Sequence, residues 1–182
     1  MLQRLNATRP LTGERTALPV VAERDDPGGG DWLEVLLPGR PNGRRGWIVA
    51  GATATTFTNW LIVVHTASRR VLVYDRGQLE RSFPAIVGKA ATPTPHGEFF
   101  VEEDVRLNGL DVGGPYALAL SARSNVLQEF DGGPGQIALH GLDNIGGILG
   151  SAASHGCVRL SDGAMGWLVR YVGPGVPVTI TS

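Results

Sequence analysis

The apolar stretches of this chain are short, and nearly every one is closed off by glycine or proline. That punctuation is what most limits the fold. A chain with 26 glycines and 12 prolines spread along 182 residues cannot build long helices, because each glycine or proline inside a helix costs about 1 to 3 kcal/mol. Short strands joined by turns tolerate the same residues at their ends. The reading is therefore mainly β, with one or two short helices.

The runs can be placed along the chain. LPVVAER, WLEVLL and GWIVAG read as three short strands of a small β module over residues 1–55. Leu33, Val35 and Leu37 fall on one face of the middle run, and Trp32, Glu34 and Leu36 on the other. The Asn42-Gly43 pair between the second and third runs favours a tight turn with positive φ. Three strands bury little alone, so this module needs a partner strand or the next domain. ATATTFT, residues 52–58, reads as either a linker or a strand, and the domain boundary falls there.

Residues 56–182 read as a larger β domain. NWLIVVHT is a continuous apolar run of strand length, expected to be buried on both faces. RRVLVYDRGQLERSFPAIVG holds two strands around Arg76-Gly77. Pro93 and Pro95 keep TPTP out of a sheet interior, and EFFVEE, YALALSA, QIALH and VPVTI supply further strands. SHGCVRL reads as a strand or strand edge. SDGAMGWLVRYV is the one good helix pattern, capped by Ser161 and favoured at its start by Asp162. Ala164, Trp167, Leu168 and Tyr171 are expected to face the core, and Gly173 and Pro174 to end the helix.

Composition excludes several classes. The formal net charge is −1 and no basic stripe is present, so nucleic-acid binding is not expected. No apolar run reaches the length of a transmembrane helix, and MLQRLNATRP lacks the apolar centre of a leader. The single cysteine, Cys157, cannot close an internal disulfide, and no paired-cysteine zinc motif exists.

A lone cysteine is often just a small buried hydrophobe. Its neighbours argue otherwise. The chain has four histidines, and two of them, His140 and His155, lie within 17 residues of Cys157. A nearby imidazole can take the thiol proton and later return it. If SHGCVRL is extended, His155, Cys157 and Arg159 share one face, while Gly156, Val158 and Leu160 share the other. Gly156 permits close approach of backbone to a ligand. His140 ends the QIALH strand and reaches the thiol if that strand lies beside Cys157; a buried His140 satisfied by a backbone carbonyl is the plainer alternative.

Ser154-His155-Gly156-Cys157-Val158-Arg159-Leu160 resembles the signature of the L,D-transpeptidase (YkuD-type) catalytic domain. His140-Gly141 sits where that family places its other histidine. TPTPHGEF and GPYALALS resemble two further family segments, so the likeness spans residues 59–182. It implies a β-sandwich with an L-shaped groove. It also implies that Cys157 attacks a stem tetrapeptide of peptidoglycan, releases D-Ala and passes the acyl group to an amine on a second stem, forming a 3→3 cross-link. His140 would be the base and His155 would shape the site. Backbone amides at His155, Gly156 and Cys157 would hold the oxyanion, with Ser154 and Gly141 shaping the turn. Arg159 and Tyr116 are the candidate substrate contacts; a salt bridge is the alternative for Arg159. Such enzymes need no metal and no cofactor, and carbapenems are their expected inhibitors. The substrate lies outside the membrane, so an extracytoplasmic location, peripheral to the wall, is expected. Residues 1–55, through WLEVLLPGRPNGRRGWI, resemble a bacterial SH3-like module.

Three departures stand out. Leu142 follows His140-Gly141 where the family usually carries Thr or Ser nearby. The Ile145-Gly146-Gly147-Ile148-Leu149 loop is glycine-rich and apolar. His96 reads as a surface residue and His65 as a structural one. Two other functions share this sequence: an L,D-carboxypeptidase, in which water takes the acyl group, and a wall-binding protein with a degenerate site. A papain-like protease is disfavoured, because both histidines precede the cysteine.

Overall fold

A computed structural model describes residues 4–130 and 132–182; residues 1–3, the start of the MLQRLNATRP segment, and residue 131 lie outside the described set. The chain is mainly β, with one short helix. The first three strands are β1 (Val20–Arg24), β2 (Trp32–Leu36) and β3 (Arg45–Val49), an antiparallel meander where the three runs were expected. Leu33, Val35 and Leu37 form its small core, with Leu5, Leu18 and Ile48 packed against them. Residues 54–59 that follow carry no helix or strand and are exposed, so ATATTFT is a connector rather than a strand.

The next elements are β4 (Trp60–His65), β5 (Arg70–Asp75), β6 (Gln78–Pro84), β7 (Val87–Gly88), β8 (Gly97–Arg106), β9 (Tyr116–Arg123) and β10 (Gln136–His140). They are followed by β11 (Ala152–Ser154), β12 (Val158–Arg159), the helix α1 (Asp162–Leu168) and β13 (Pro177–Thr181). Eight strands make one mixed sheet in the order β12-β10-β9-β8-β13-β4-β5-β6, and β11 pairs with β7. The pairs β10–β12 and β13–β4 are parallel; the others in the large sheet are antiparallel.

Strand β8 explains the curvature. Residues 97–100 pair with β13, and residues 101–106 pair with β9 across a bulge between Val101 and Glu103. A bulge bends its strand, so the two halves of the sheet fold toward each other. Ile62 and Val71 from one half then share a single core with Leu118, Leu139 and Val158 from the other, closed by Met165 and Leu168 of α1.

Two local expectations need correction. In β4, Ile62 and Val64 are fully buried, but Leu61 and Val63 are only half-buried, because nothing packs fully over that face. On α1, Ala164 and Leu168 are core residues as expected, and so is Met165. Tyr171 lies beyond the helix end, is 49% exposed and stacks on Trp60 and Trp167 instead. The helix stops at Leu168, short of the Gly173 and Pro174 expected to end it, so the helical spacing that paired Tyr171 with Trp167 no longer applies. Ser161 does cap it: its side chain accepts from the Ala164 amide at 3.2 Å.

The outer face of β8 is covered by the N-terminal segment. Glu102 and Glu103 are buried there. Arg9 pairs with both, and Arg123 donates to Glu102 at 2.9 Å. Glu103 also accepts the Leu11 and Thr12 amides at 3.2 and 3.1 Å. Buried carboxylates are tolerated because each has cationic and amide partners. Among the described residues no helix is long and apolar enough to cross a membrane.

Candidate active site

The segment around Cys157 is a turn held from both sides. Ser154 Oγ accepts the Gly156 amide at 3.1 Å and donates to the Cys157 carbonyl at 2.5 Å. Gly156 has φ 124°, a region that side chains avoid, and a Cβ there would sit 3.0 Å from Ile137. The TPT loop locks the outside of the turn. Thr94 Oγ1 donates to the Gly156 carbonyl and accepts the Gly88 amide, both at 2.9 Å. Thr92 Oγ1 and the Lys89 amide donate to the Ser154 carbonyl at 3.3 and 3.0 Å. Thr92 and Thr94 are buried polar residues, and these bonds are what satisfy them.

The alternation expected of SHGCVRL is present. His155 is exposed and Cys157 and Arg159 are half-buried, while Gly156, Val158 and Leu160 are buried. The strand is interrupted, however: Ser154 ends β11 and Val158–Arg159 form β12, while residues 155–157 bend out, because the Gly156 conformation breaks the ladder. β12 lies parallel to β10 with His140 opposite Arg159, and the Leu160 amide donates to the His140 carbonyl at 2.9 Å. This pairing is what carries His140 to the cysteine.

Backbone contacts set the chemistry of His140. Its Nδ1 lies 2.9 Å from the Gly141 carbonyl. A carbonyl only accepts, so Nδ1 carries the proton and Nε2 keeps a lone pair. The backbone-carbonyl partner, one alternative in the sequence, is therefore present on Nδ1, and His140 and Cys157 line the same groove. Gly113, at φ 85°, lies under the ring; a Cβ there would be 2.4 Å from Nδ1. Gly141 passes so close to the Gly114 carbonyl that a Cβ would be 1.9 Å away. Asp162 Oδ1, at the start of α1, accepts the Leu142 amide at 2.7 Å and fixes the turn after His140.

Burial pushes the Cys157 thiol up, while the Ala138 backbone and the Arg159 guanidinium pull it down. Burial pushes His140 down; the Gly141 hydrogen bond opposes this, and the charge of Arg159 adds to it. Both shifts favour a neutral thiol beside a neutral imidazole at rest. The Cys157 Sγ faces the Gln136 carbonyl at 4.0 Å, in keeping with an S–H donor.

Cys157, His140, His155 and Arg159 all line one groove of about 190 Å³, along with Val112, Leu127, Phe130 and Ile145 among others. Among the described residues no carboxylate lines it. The Arg159 Nε is buried without a partner, and no ion pair holds Arg159 among the described residues. His155 Nε2 lies 3.2 Å from Lys89 Nζ, and its ring stacks on Phe130 with centroids 5.7 Å apart. An ammonium only donates, so that nitrogen of His155 is spent. Tyr116 packs against the core and is not among the groove residues. His96 is exposed and bonds Thr66, and His65 sits at the end of β4; neither reaches the groove. Leu142 is outside the groove too, whereas Ile145 of the glycine-rich loop lines it.

Sequence reasoning missed Gly113, Thr92, Thr94 and Lys89. A signal was present for the threonines, which alternate with the prolines of TPTP.

The model of the L,D-transpeptidase catalytic domain, YkuD, matches residues 59–180, about two thirds of the chain. YkuD of Bacillus licheniformis is 30% identical over 137 residues, which cover 74% of this chain and 73% of that protein. Among solved structures, an L,D-transpeptidase from Mycobacterium smegmatis superposes with a TM-score of 0.55 at 18% identity, covering 92% of this chain and all of that one. L,D-transpeptidase 3 from Mycobacterium tuberculosis, in complex with a faropenem-derived adduct, gives a TM-score of 0.55 at 18% identity, covering 83% of this chain and 68% of that one. These structures share the fold; the family model and the Bacillus relative, taken with the SHGC turn beside His140, show that the chain belongs to the L,D-transpeptidase (YkuD) family.

Proposed function

We propose that the protein is a peptidoglycan L,D-transpeptidase that works through a thioester on Cys157. The convergence of Cys157, His140 and Arg159 on one groove carries this reading. The Cys157 sulfur attacks the carbonyl carbon between the third and fourth residues of a stem tetrapeptide, and its proton passes to His140 Nε2. The Gly156 amide is engaged by Ser154, so the amides of His155 and Cys157 are left to meet the oxyanion. The C–N bond breaks, and D-Ala leaves as an amine with the proton from His140. An amine of a second stem then attacks the thioester and the thiol is restored, giving a 3→3 cross-link. Arg159, in no ion pair with any carboxylate among the described residues, suits a substrate carboxylate. His155 shapes the rim. The enzyme acts outside the membrane, where its substrate lies, and the β1–β3 module, read as SH3-like, assists at the wall.

The same thiol would open the strained ring of a carbapenem or a penem. That lactam nitrogen stays tethered, so the adduct persists. The faropenem adduct of the Mycobacterium tuberculosis relative supports this expectation. Intact mass after incubation with a carbapenem is the test. One adduct on the wild type is expected, none on Cys157→Ala, and a much slower one on His140→Ala. A folded wild type that stays unmodified would sink the reading and favour a wall-binding protein. A tetrapeptide assay with and without an amine acceptor separates the cross-linking enzyme from a carboxypeptidase.

A further inference from the structure

Segment 124–135 joins β9 to β10 and forms one wall of the groove through Ser124, Leu127, Phe130 and Gly135. Part of it is self-supporting: the Ser124 amide donates to the Gly135 carbonyl at 2.8 Å, and Ser124 Oγ accepts the Val126 and Leu127 amides. Three of its carbonyls point outward, and all three are taken by one side chain from the N-terminal module. Arg40, between β2 and β3, donates Nη1 to Pro134 O at 2.7 Å. Its Nη2 donates to Ser124 O and Leu127 O at 2.9 and 2.8 Å. Gly135 makes room for this: a Cβ there would lie 3.0 Å from Nη2 and 2.1 Å from Leu127 O. Asn42, two residues on, brackets the start of the same segment. Its Nδ2 donates to Arg123 O at 2.8 Å, and its Oδ1 accepts the Arg123 amide at 2.9 Å.

A guanidinium is a rigid planar fork, so three carbonyls bound to one of them are fixed relative to each other. These three span both arms of the segment that carries Phe130 onto His155. We infer that Arg40 is a positioning residue for this wall of the groove, so that the β2–β3 hairpin completes the active site of the catalytic domain. This rests on the acyl-enzyme reading of Cys157. Arg40 touches neither thiol nor imidazole. Its effect falls on how well an acyl donor seats, while the reactivity of the sulfur stays as it is.

The test compares wild type, Arg40→Ala, Arg40→Lys and Arg45→Ala. Arg45 also bridges the module to β8, through Glu98 at 3.2 Å, but does not touch the segment. Three readouts are taken: hydrogen exchange of the 124–135 amides, imipenem acylation against concentration, and alkylation of Cys157 by iodoacetamide. In Arg40→Ala the segment should exchange faster. The half-saturating imipenem concentration should rise about tenfold, the limiting rate should stay within about twofold, and alkylation should be unchanged. Arg40→Lys should recover part of the loss, and Arg45→Ala should behave as wild type. Unchanged exchange and saturation in Arg40→Ala would overturn the inference. So would an equal defect in Arg45→Ala, which would mean general undocking of the module. If wild type is alkylated but never acylated, the proposed function fails on its own, and hydrogen exchange still decides the role of Arg40. Should Arg40→Ala not fold, Arg40→Lys against wild type carries the same readouts.

Discussion

A methyl group at position 113 would lie 2.4 Å from Nδ1 of His140, well inside van der Waals contact. Gly113→Ala should therefore push the imidazole off its Gly141 carbonyl. Acylation by a carbapenem should fall on the order of a hundredfold, since small misplacements of a catalytic group have that effect. Iodoacetamide, which needs no base, should still label Cys157 at the wild-type rate; equal carbapenem rates in both proteins would refute the cradle. The thiol also makes a pH prediction. Burial holds it above the ordinary thiol value, so alkylation should rise with pH through a midpoint above that of a free cysteine. Arg159→Gln should move that midpoint higher, because the guanidinium favours the thiolate. A midpoint that stays put or falls in the variant would show that Arg159 does not act on the sulfur. Cys157, His155 and Arg159 were legible as residues because imidazole, thiol and guanidinium recur at strand spacing, and His140 because it ends the QIALH strand upstream. Gly113 was not, because a glycine under a ring leaves no mark of its own in a sequence that contains 26.

At the scale of elements, the reactive turn depends on a loop some sixty residues away. Thr94→Val keeps the shape of the side chain but removes a donor to Gly156 and an acceptor for Gly88. The buried Gly156 carbonyl and the half-buried Gly88 amide are then left without partners, at about 1 to 3 kcal/mol each and about 2 to 6 kcal/mol together. Urea unfolding should show a loss in that range, and carbapenem acylation should slow as the Gly156 turn loosens. Unfolding and acylation equal to wild type would remove the buttress from the account. Most strands and the helix cap were readable locally, since Arg76-Gly77, Ser161 and the apolar runs act over a few residues. The actual hairpin has φ 48° at Arg76 and 76° at Gly77, as a tight turn between strands requires. The exposure of Tyr171 was not readable, because helical spacing says nothing about where the last turn unwinds.

At the scale of the molecule, the N-terminal segment and β8 share a dense acidic patch. Asp104 is raised from 3.8 to about 6, first by burial and then by the charge of Glu14. A carboxyl with a raised folded value stabilises the fold when protonated. That contribution is complete below about 3.8 and is lost as pH climbs through about 6. Asp104→Asn should therefore be more stable than wild type at pH 7, by about 1 kcal/mol once solvent screening of this half-exposed group is allowed for. The difference should vanish below about pH 4. Thermal unfolding across pH 4–8 is the measurement, and a constant gap between the two proteins would reject the assignment to Asp104.

By itself the sequence determined the local half of this protein. Run length, glycine and proline placement and strand alternation are short-range properties, and they specified a β-rich chain with one capped helix. They also put His155, Cys157 and Arg159 on one face. Tertiary structure decided what those residues meet. The bulge in β8 curls the sheet, the parallel register of β10 and β12 sets His140 against Arg159, and the β2–β3 hairpin grips a wall of the groove through Arg40. Each of these joins parts of the chain far apart in sequence. Such contacts depend on how buried hydrogen bonds and close approaches are satisfied across the whole fold, and no local pattern encodes that.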